Sequence, residues 1–256
     1  MVKEVVITDW GSETDREVGG VNLILLFDGD FLDPHHVRLG DRRLAYVRAV
    51  HRAAVGDTLR VGRLQGGIGA GVITRLDETA LEMEVVLDRD PPPAAPLTLL
   101  LALPRPKAVR RVLQCAAAIG VKRIVLINTW RVEKSFWASP ALADAAVREQ
   151  LVLGLEQGGD TLLPMVERRA RFKPFVEDEM ATLIAGTRAL VAHPPAALPC
   201  PHGVDGRVTL AVGPEGGFTP YEVDLLVAHG FTAISLGRRA LRVEHAVPAL
   251  LGRLLP

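Results

Sequence analysis

Cysteine is nearly absent from this 256-residue chain: Cys115 and Cys200 are the only two, and they lie far apart. No Cys-x-x-Cys pair and no histidine cluster accompanies them, so their spacing excludes both a disulfide scaffold and a zinc site. Long apolar runs are missing as well. The longest, Leu97 to Leu103, stops at Pro104, well short of the ~20 residues that span a bilayer. Residues 1–20 carry Lys3, Glu4, Asp9, Glu13, Asp15, Arg16 and Glu17, which does not match the basic start and apolar centre of a signal peptide. Together these absences predict a soluble, cytoplasmic protein with reduced thiols and no metal. Net charge is lacking too, with 30 Lys and Arg against 30 Asp and Glu, which argues against nonspecific coating of nucleic acid.

Charge is nevertheless clustered. Arginines 38, 42, 43, 48, 52, 60 and 63 face only Asp41 and Asp57, and between Arg105 and Lys134 eight Lys or Arg face only Glu133. Two such clusters in a neutral protein favour a phosphate-bearing partner over a merely solvated surface.

The 48% hydrophobic content is ample for a buried core. Residues 1–20 lack hydrophobic periodicity and end in two glycines, which predicts a flexible extension. A small β-rich domain is expected over 21–88: a strand from Val21 to Phe27, a helix over Val37 to Val50, then strands at 59–61, 69–76 and 81–87. Four prolines in residues 89–96 mark a linker, because proline cannot donate to a sheet ladder. From Leu97 to the end, strands alternate with helices, the pattern of an α/β domain with a mostly parallel sheet. The predicted elements are strands at 97–103, 123–128, 188–192, 208–212 and 232–236, with helices at 107–119, 140–156, 173–185, 220–229 and from 243.

Two glycine-bearing turns stand out near the end, Gly213-Pro-Glu-Gly-Gly217 after an apolar strand and Ser235-Leu-Gly237 after another. Such turns expose backbone amides and carbonyls to a ligand. Neither is followed by the Gly-Lys-Ser/Thr of a phosphate-loop nucleotidase. A dinucleotide fold is also a poor match, because Pro104-Arg-Pro-Lys107, and not a glycine fingerprint, follows the strand ending at Leu103. Arg131, Lys134 and Ser135, next to Phe136 and Trp137, combine cationic and flat surfaces in the manner of RNA sites, although buried aromatics explain the latter two nearly as well.

Taken together, Gly213-Pro-Glu-Gly-Gly217, Ser235-Leu-Gly237 and Leu241-Arg242-x-Glu244-x-Ala246 resemble the signature of the RsmE family, and the likeness runs from Val21 onward. RsmE proteins are SPOUT-class methyltransferases that methylate N3 of a uridine in 16S rRNA of the small ribosomal subunit, using S-adenosylmethionine. The resemblance implies a SPOUT-type α/β domain with a deep trefoil knot, a small N-terminal PUA-like β-barrel and a homodimer whose active sites use both subunits. Carried over residue by residue, the cofactor site comprises His193, Gly213, Glu215, Gly217, Ser235, Leu236, Gly237, Leu241 and Arg242. Leu236 and Leu241 would face the adenine.

Uridine N3 is protonated at neutral pH, so the site needs a base, a cation for the uracil anion, or both. Arg242 and Glu244 are the catalytic candidates, with helix-end electrostatics as the alternative role for each. Arg38, Arg48 and Arg52, with His36 and His51, would give the PUA-like module a basic face for rRNA. The chain departs from the family pattern at Val243 and His245, where threonines are usual, and at Asp160, where arginine is usual after Glu156-Gln157. His245 is thereby a further candidate base. Two alternatives stay open: a noncatalytic rRNA-binding assembly protein on the same scaffold, and methylation of a different RNA position such as a ribose 2'-hydroxyl.

Overall fold

The computed structural model describes residues 22–255. The expected extension over residues 1–20 lies outside these, as does the expectation for the His51 side chain. The chain divides into two compact units, one of residues up to Pro92 together with Leu155–Leu162, the other of Pro93–Gly154 and Leu163–Pro256.

The first unit is built on β1 (Ile24–Leu26), β2 (His36–Leu39), β3 (Thr58–Arg63), β4 (Ile68–Leu76) and β5 (Leu81–Arg89), in the sheet order β1-β3-β4-β5-β2. Alternate residues of β5, Leu81, Met83 and Val85, point into a core shared with Val37, Leu39, Val61 and Ile73. The helix expected from Val37 starts later. Val37 and Leu39 are buried and Arg38 is exposed, so the period there is two and the segment pairs with β5 as a strand. Asp41 then accepts the Arg43 amide and caps α1 (Arg42–Tyr46), which runs into a π-helical turn at Val47–His51.

The arginine cluster in this unit does not form one free basic face. Arg43 is 4% exposed and bridges Asp30 and Asp41 while donating to the Leu25 carbonyl. Burial opposes its charge, but the hydrogen bonds to Asp30 and Asp41 outweigh that and push its pKa up. Arg42 pairs with Glu156, Arg63 with Asp28, and Arg60 donates to the Gly159 carbonyl. Arg38, Arg48 and Arg52 remain on the exposed surface, with Arg38 at 3.8 Å from Glu82. Asp160 is buried and accepts the Leu162 amide at 2.9 Å, so this departure from the family pattern shapes a turn.

The second unit holds β6 (Ala95–Ala102), α2 (Pro106–Ala118), β7 (Val121–Ile127), α3 (Lys134–Trp137), α4 (Asp144–Gly158) up to Gly154, β8 (Met165–Arg169), α5 (Phe172–Asp178), α6 (Met180–Leu183), β9 (Arg188–Ala192), β10 (Val208–Val212), α7 (Pro220–Ala228), β11 (Thr232–Ile234) and α8 (Val243–Leu254). Its six strands are all parallel, in the order β11-β9-β10-β6-β7-β8. Central β10 is buried at every position, as a parallel strand covered on both faces should be.

Three local expectations change here. β6 begins at Ala95, and a register shift between Ala95 and Thr98 accommodates Pro96, which has no amide to offer. The helix expected over 173–185 breaks into α5 and α6 at Glu179. Strand β8 was not expected at all. Cys115 and Cys200 are free, and burial raises the pKa of both thiols.

Candidate active site

Val212 at the end of β10 is level with Ala192 of β9, and Ala192 with Ile234 of β11. Because the strands are parallel, the segments starting at His193, Gly213 and Ser235 leave the same edge of the sheet. This is where open α/β sheets hold ligands. A cavity of about 290 Å³ lies there.

Each segment is shaped locally. The Gly217 amide donates to the Pro214 carbonyl at 2.7 Å, closing a tight turn. A Cβ on Gly213 would stand 2.9 Å from the Phe218 nitrogen, so only glycine lets the turn fold back. Thr219 then caps α7 reciprocally with Glu222. The Glu222 carboxylate is buried, and its other oxygen accepts the Trp130 amide at 2.7 Å. Arg131 donates to the Gly216 carbonyl.

Across the cavity, the His193 amide donates to the Ile234 carbonyl at 2.9 Å, Ser235 donates to Leu198 at 2.9 Å, and Cys200 donates back to Ser235 at 2.8 Å. These bonds knit the 193–200 segment to the end of β11. The Ser235 hydroxyl accepts the Gly237 amide at 3.0 Å and lies 3.1 Å from the Pro194 carbonyl. Gly237 has φ +113°, which residues with a Cβ rarely adopt, and no atom lies within 4 Å of where its Cβ would stand.

The structure places His193, Gly213, Glu215, Gly217, Ser235, Leu236, Gly237 and Leu241 in the wall of a single cavity, joined by Arg131 and Arg239. Arg242 is not on that wall. It is the exposed N-cap of α8, between the wall residues Leu241 and Val243. Glu244 is covered, its side chain 4% exposed, with one carboxylate oxygen 3.3 Å from Arg105 and the other without a hydrogen-bond partner. Its own amide, then the Arg105 guanidinium, hold its pKa below the usual carboxylate value. Arg105 also donates its backbone amide to Glu215 at 3.0 Å, which links the glycine turn to the start of α8.

Sequence reasoning missed Arg105 and Glu222. The signals were present: Arg105 follows the end of β6 at the same sheet edge, and Thr219-x-x-Glu222 spells a capping box. Lys134 and Ser135 are exposed at the start of α3. Phe136 and Trp137 are half-buried, and the Trp137 indole donates to Asn128 at 3.0 Å. The exposed aromatic of this segment is Trp130.

A parallel sheet with loop-built walls at its carboxyl edge defines the class, and the family model of the RNA methyltransferase domain matches residues 91–255. Among curated proteins, the chain is similar to ribosomal RNA small subunit methyltransferase E of Treponema pallidum, at 28% identity over 82% of this chain and 80% of the relative. The protein of the same name from Synechocystis is 29% identical over 85% and 72%. The chain belongs to the RsmE family of RNA methyltransferases. Its fold matches the Neisseria gonorrhoeae methyltransferase E, solved bound to S-adenosyl methionine, with a TM-score of 0.69, 21% identity and coverage of 90% and 95% of the two chains. A methyltransferase of Legionella pneumophila in complex with the same cofactor matches at a TM-score of 0.65, 24% identity and coverage of 89% and 95%.

Proposed function

We propose that this chain methylates N3 of a uridine in 16S rRNA of the small ribosomal subunit, with S-adenosylmethionine as methyl donor. The observation that carries the reading is the convergence of the segments after β9, β10 and β11 on one cavity lined by both glycine turns. The names of the relatives and the cofactor bound in the two solved neighbours support it. The residues suit such a ligand. At Gly217 and Gly237 the space a Cβ would take is open, and Leu236 and Leu241, on the same wall, supply apolar surface for an adenine.

When bound, S-adenosylmethionine supplies a methyl group on a sulfonium, already a good leaving group without metal activation. The work left to the protein concerns the uridine. Arg242, exposed at the positive end of α8, stabilises the negative charge that develops on uracil as N3 loses its proton. Glu244, covered and paired with Arg105, acts by positioning: it holds Arg105, which in turn holds Glu215 on the cavity wall. In this reading His245, exposed on the first turn of α8, receives the proton that N3 loses.

In this reading the chain forms a deep C-terminal trefoil knot, the first unit is a PUA-like domain that meets rRNA phosphates through Arg38, Arg48 and Arg52, and in the second unit Arg131, Lys134 and Ser135 also contact RNA. The enzyme works as a cytoplasmic homodimer. Two measurements test the reading: calorimetry with S-adenosylmethionine, and nucleoside mass spectrometry of 16S rRNA from a strain lacking the protein. The expected result is saturable binding and loss of 3-methyluridine. No binding would leave only an assembly role, and loss of a ribose methyl instead would move the target to the 2'-hydroxyl.

A further inference from the structure

Trp130 is the most exposed large apolar side chain among the described residues, at 86%. An indole left in water is ordinarily free to turn away, but the backbone here is held. The Trp130 amide donates to buried Glu222, Thr129 before it is buried, and the Val132 amide closes a turn on the Thr129 carbonyl at 3.1 Å. The next residue, Arg131, is on the cavity wall and donates to the Gly216 carbonyl. The buried Glu222 carboxylate thus fixes the backbone of this exposed aromatic patch beside the cavity-wall residue Arg131.

The surroundings decide what such a patch fits. Arg131 and Arg239 line the cavity, and Arg238, Arg242 and Lys134 are exposed. A flat ring in the company of cations suits unpaired nucleotides, whose bases stack while their phosphates meet positive charge. An obligate protein interface would instead present a broad apolar face.

We propose that Trp130 is a stacking platform for an unpaired RNA base that flanks the nucleotide presented to the cavity. The placement of that base rests on the methyltransferase reading, whereas the platform itself can be tested by RNA binding alone.

In a protein carrying Trp10→Phe and Trp137→Phe, Trp130 is the sole indole. Titration with a mixed-sequence single-stranded oligoribonucleotide should quench its fluorescence. Trp130→Ala should weaken RNA binding roughly 5- to 150-fold, the range of one lost base stack, and Trp130→Phe should restore most of it. Circular dichroism and S-adenosylmethionine titration on the same variants report folding and the cavity separately. RNA affinity of Trp130→Ala within about twofold of the parent would overturn the platform. So would conversion of a dimer to monomers in sedimentation with RNA affinity unchanged, which would make Trp130 a subunit contact. If the parent binds RNA with quenching but methylates no rRNA, the platform stands and the enzymatic reading falls. If methylation is intact and Trp130→Ala is indistinguishable from the parent, the platform alone falls.

Discussion

Replacing Arg105 with Met removes the guanidinium that joins Glu215 to Glu244 while keeping most of the apolar stem. The Glu244 side chain is covered but shallow, 4% exposed and close to the surface, and Arg105 is itself 43% exposed. A charge-assisted hydrogen bond is worth about 1.5–3 kcal/mol, and partial exposure screens it, so the expected loss is about 1–2 kcal/mol. Urea unfolding measures this. The pH dependence has a definite sign. Glu244 has a folded pKa below its unfolded value, so the stabilisation is complete above the unfolded value and fades as pH falls through the folded one. The advantage over Arg105→Met should therefore be full at pH 7 and shrink below about pH 4.

A double-mutant cycle with Glu244→Gln isolates the pair, with an expected coupling of about 1 kcal/mol. S-adenosylmethionine affinity should fall as well, because the variant loses the Arg105 guanidinium beside Glu215 on the cavity wall. Strict additivity in the cycle, with the same stability gap at pH 3 as at pH 7, would refute the reasoning.

Gly237→Ala places a Cβ on a backbone at φ +113°, a strain of about 1–3 kcal/mol, and its methyl enters open space at the cavity wall. Calorimetry should show S-adenosylmethionine binding weakened by about tenfold or more, with only a modest fall in Tm. Arg43→Met leaves Asp30 facing no guanidinium in the first unit. With Arg43 4% exposed, breaking this pair should cost about 3–5 kcal/mol in thermal or urea unfolding. Glu222→Gln takes away one of the carboxylate oxygens shared by the Thr219 and Trp130 amides, and a loss of about 1–2 kcal/mol is expected in denaturant titration.

The elements easiest to foresee were those whose cause is local. Helix α7 begins where Thr219, Pro220 and Glu222 stand in capping order, and β10 is a short strand of four apolar residues and Thr209 ending at a glycine. Strand β8 has no such mark. Met165-Val-Glu-Arg-Arg169 buries none of its residues and is a strand only because β7 is paired beside it. The segment at β2 misled for the opposite reason, because Val37 and Leu39 also fit a helical spacing until pairing with β5 settles the period.

Charge was legible as composition and not as surface. Arg43 and Arg48 stand in one sequence cluster, yet the first is sealed against Asp30 and Asp41 and the second faces solvent. Likewise Phe136 and Trp137 offered themselves as stacking rings, but packing half-covers them and leaves Trp130 far more exposed.

By itself the sequence determined the repertoire of turns and caps, since glycine, proline and capping residues act through bonds to their immediate neighbours. Only the tertiary structure decided which of them meet. The order β11-β9-β10-β6 sets Ile234, Ala192 and Val212 level with one another, and that register depends on hydrogen bonds between strands remote along the chain. The same pairing brings Arg105, at the end of β6, to Glu215 and Glu244, a link that no stretch of neighbouring residues encodes.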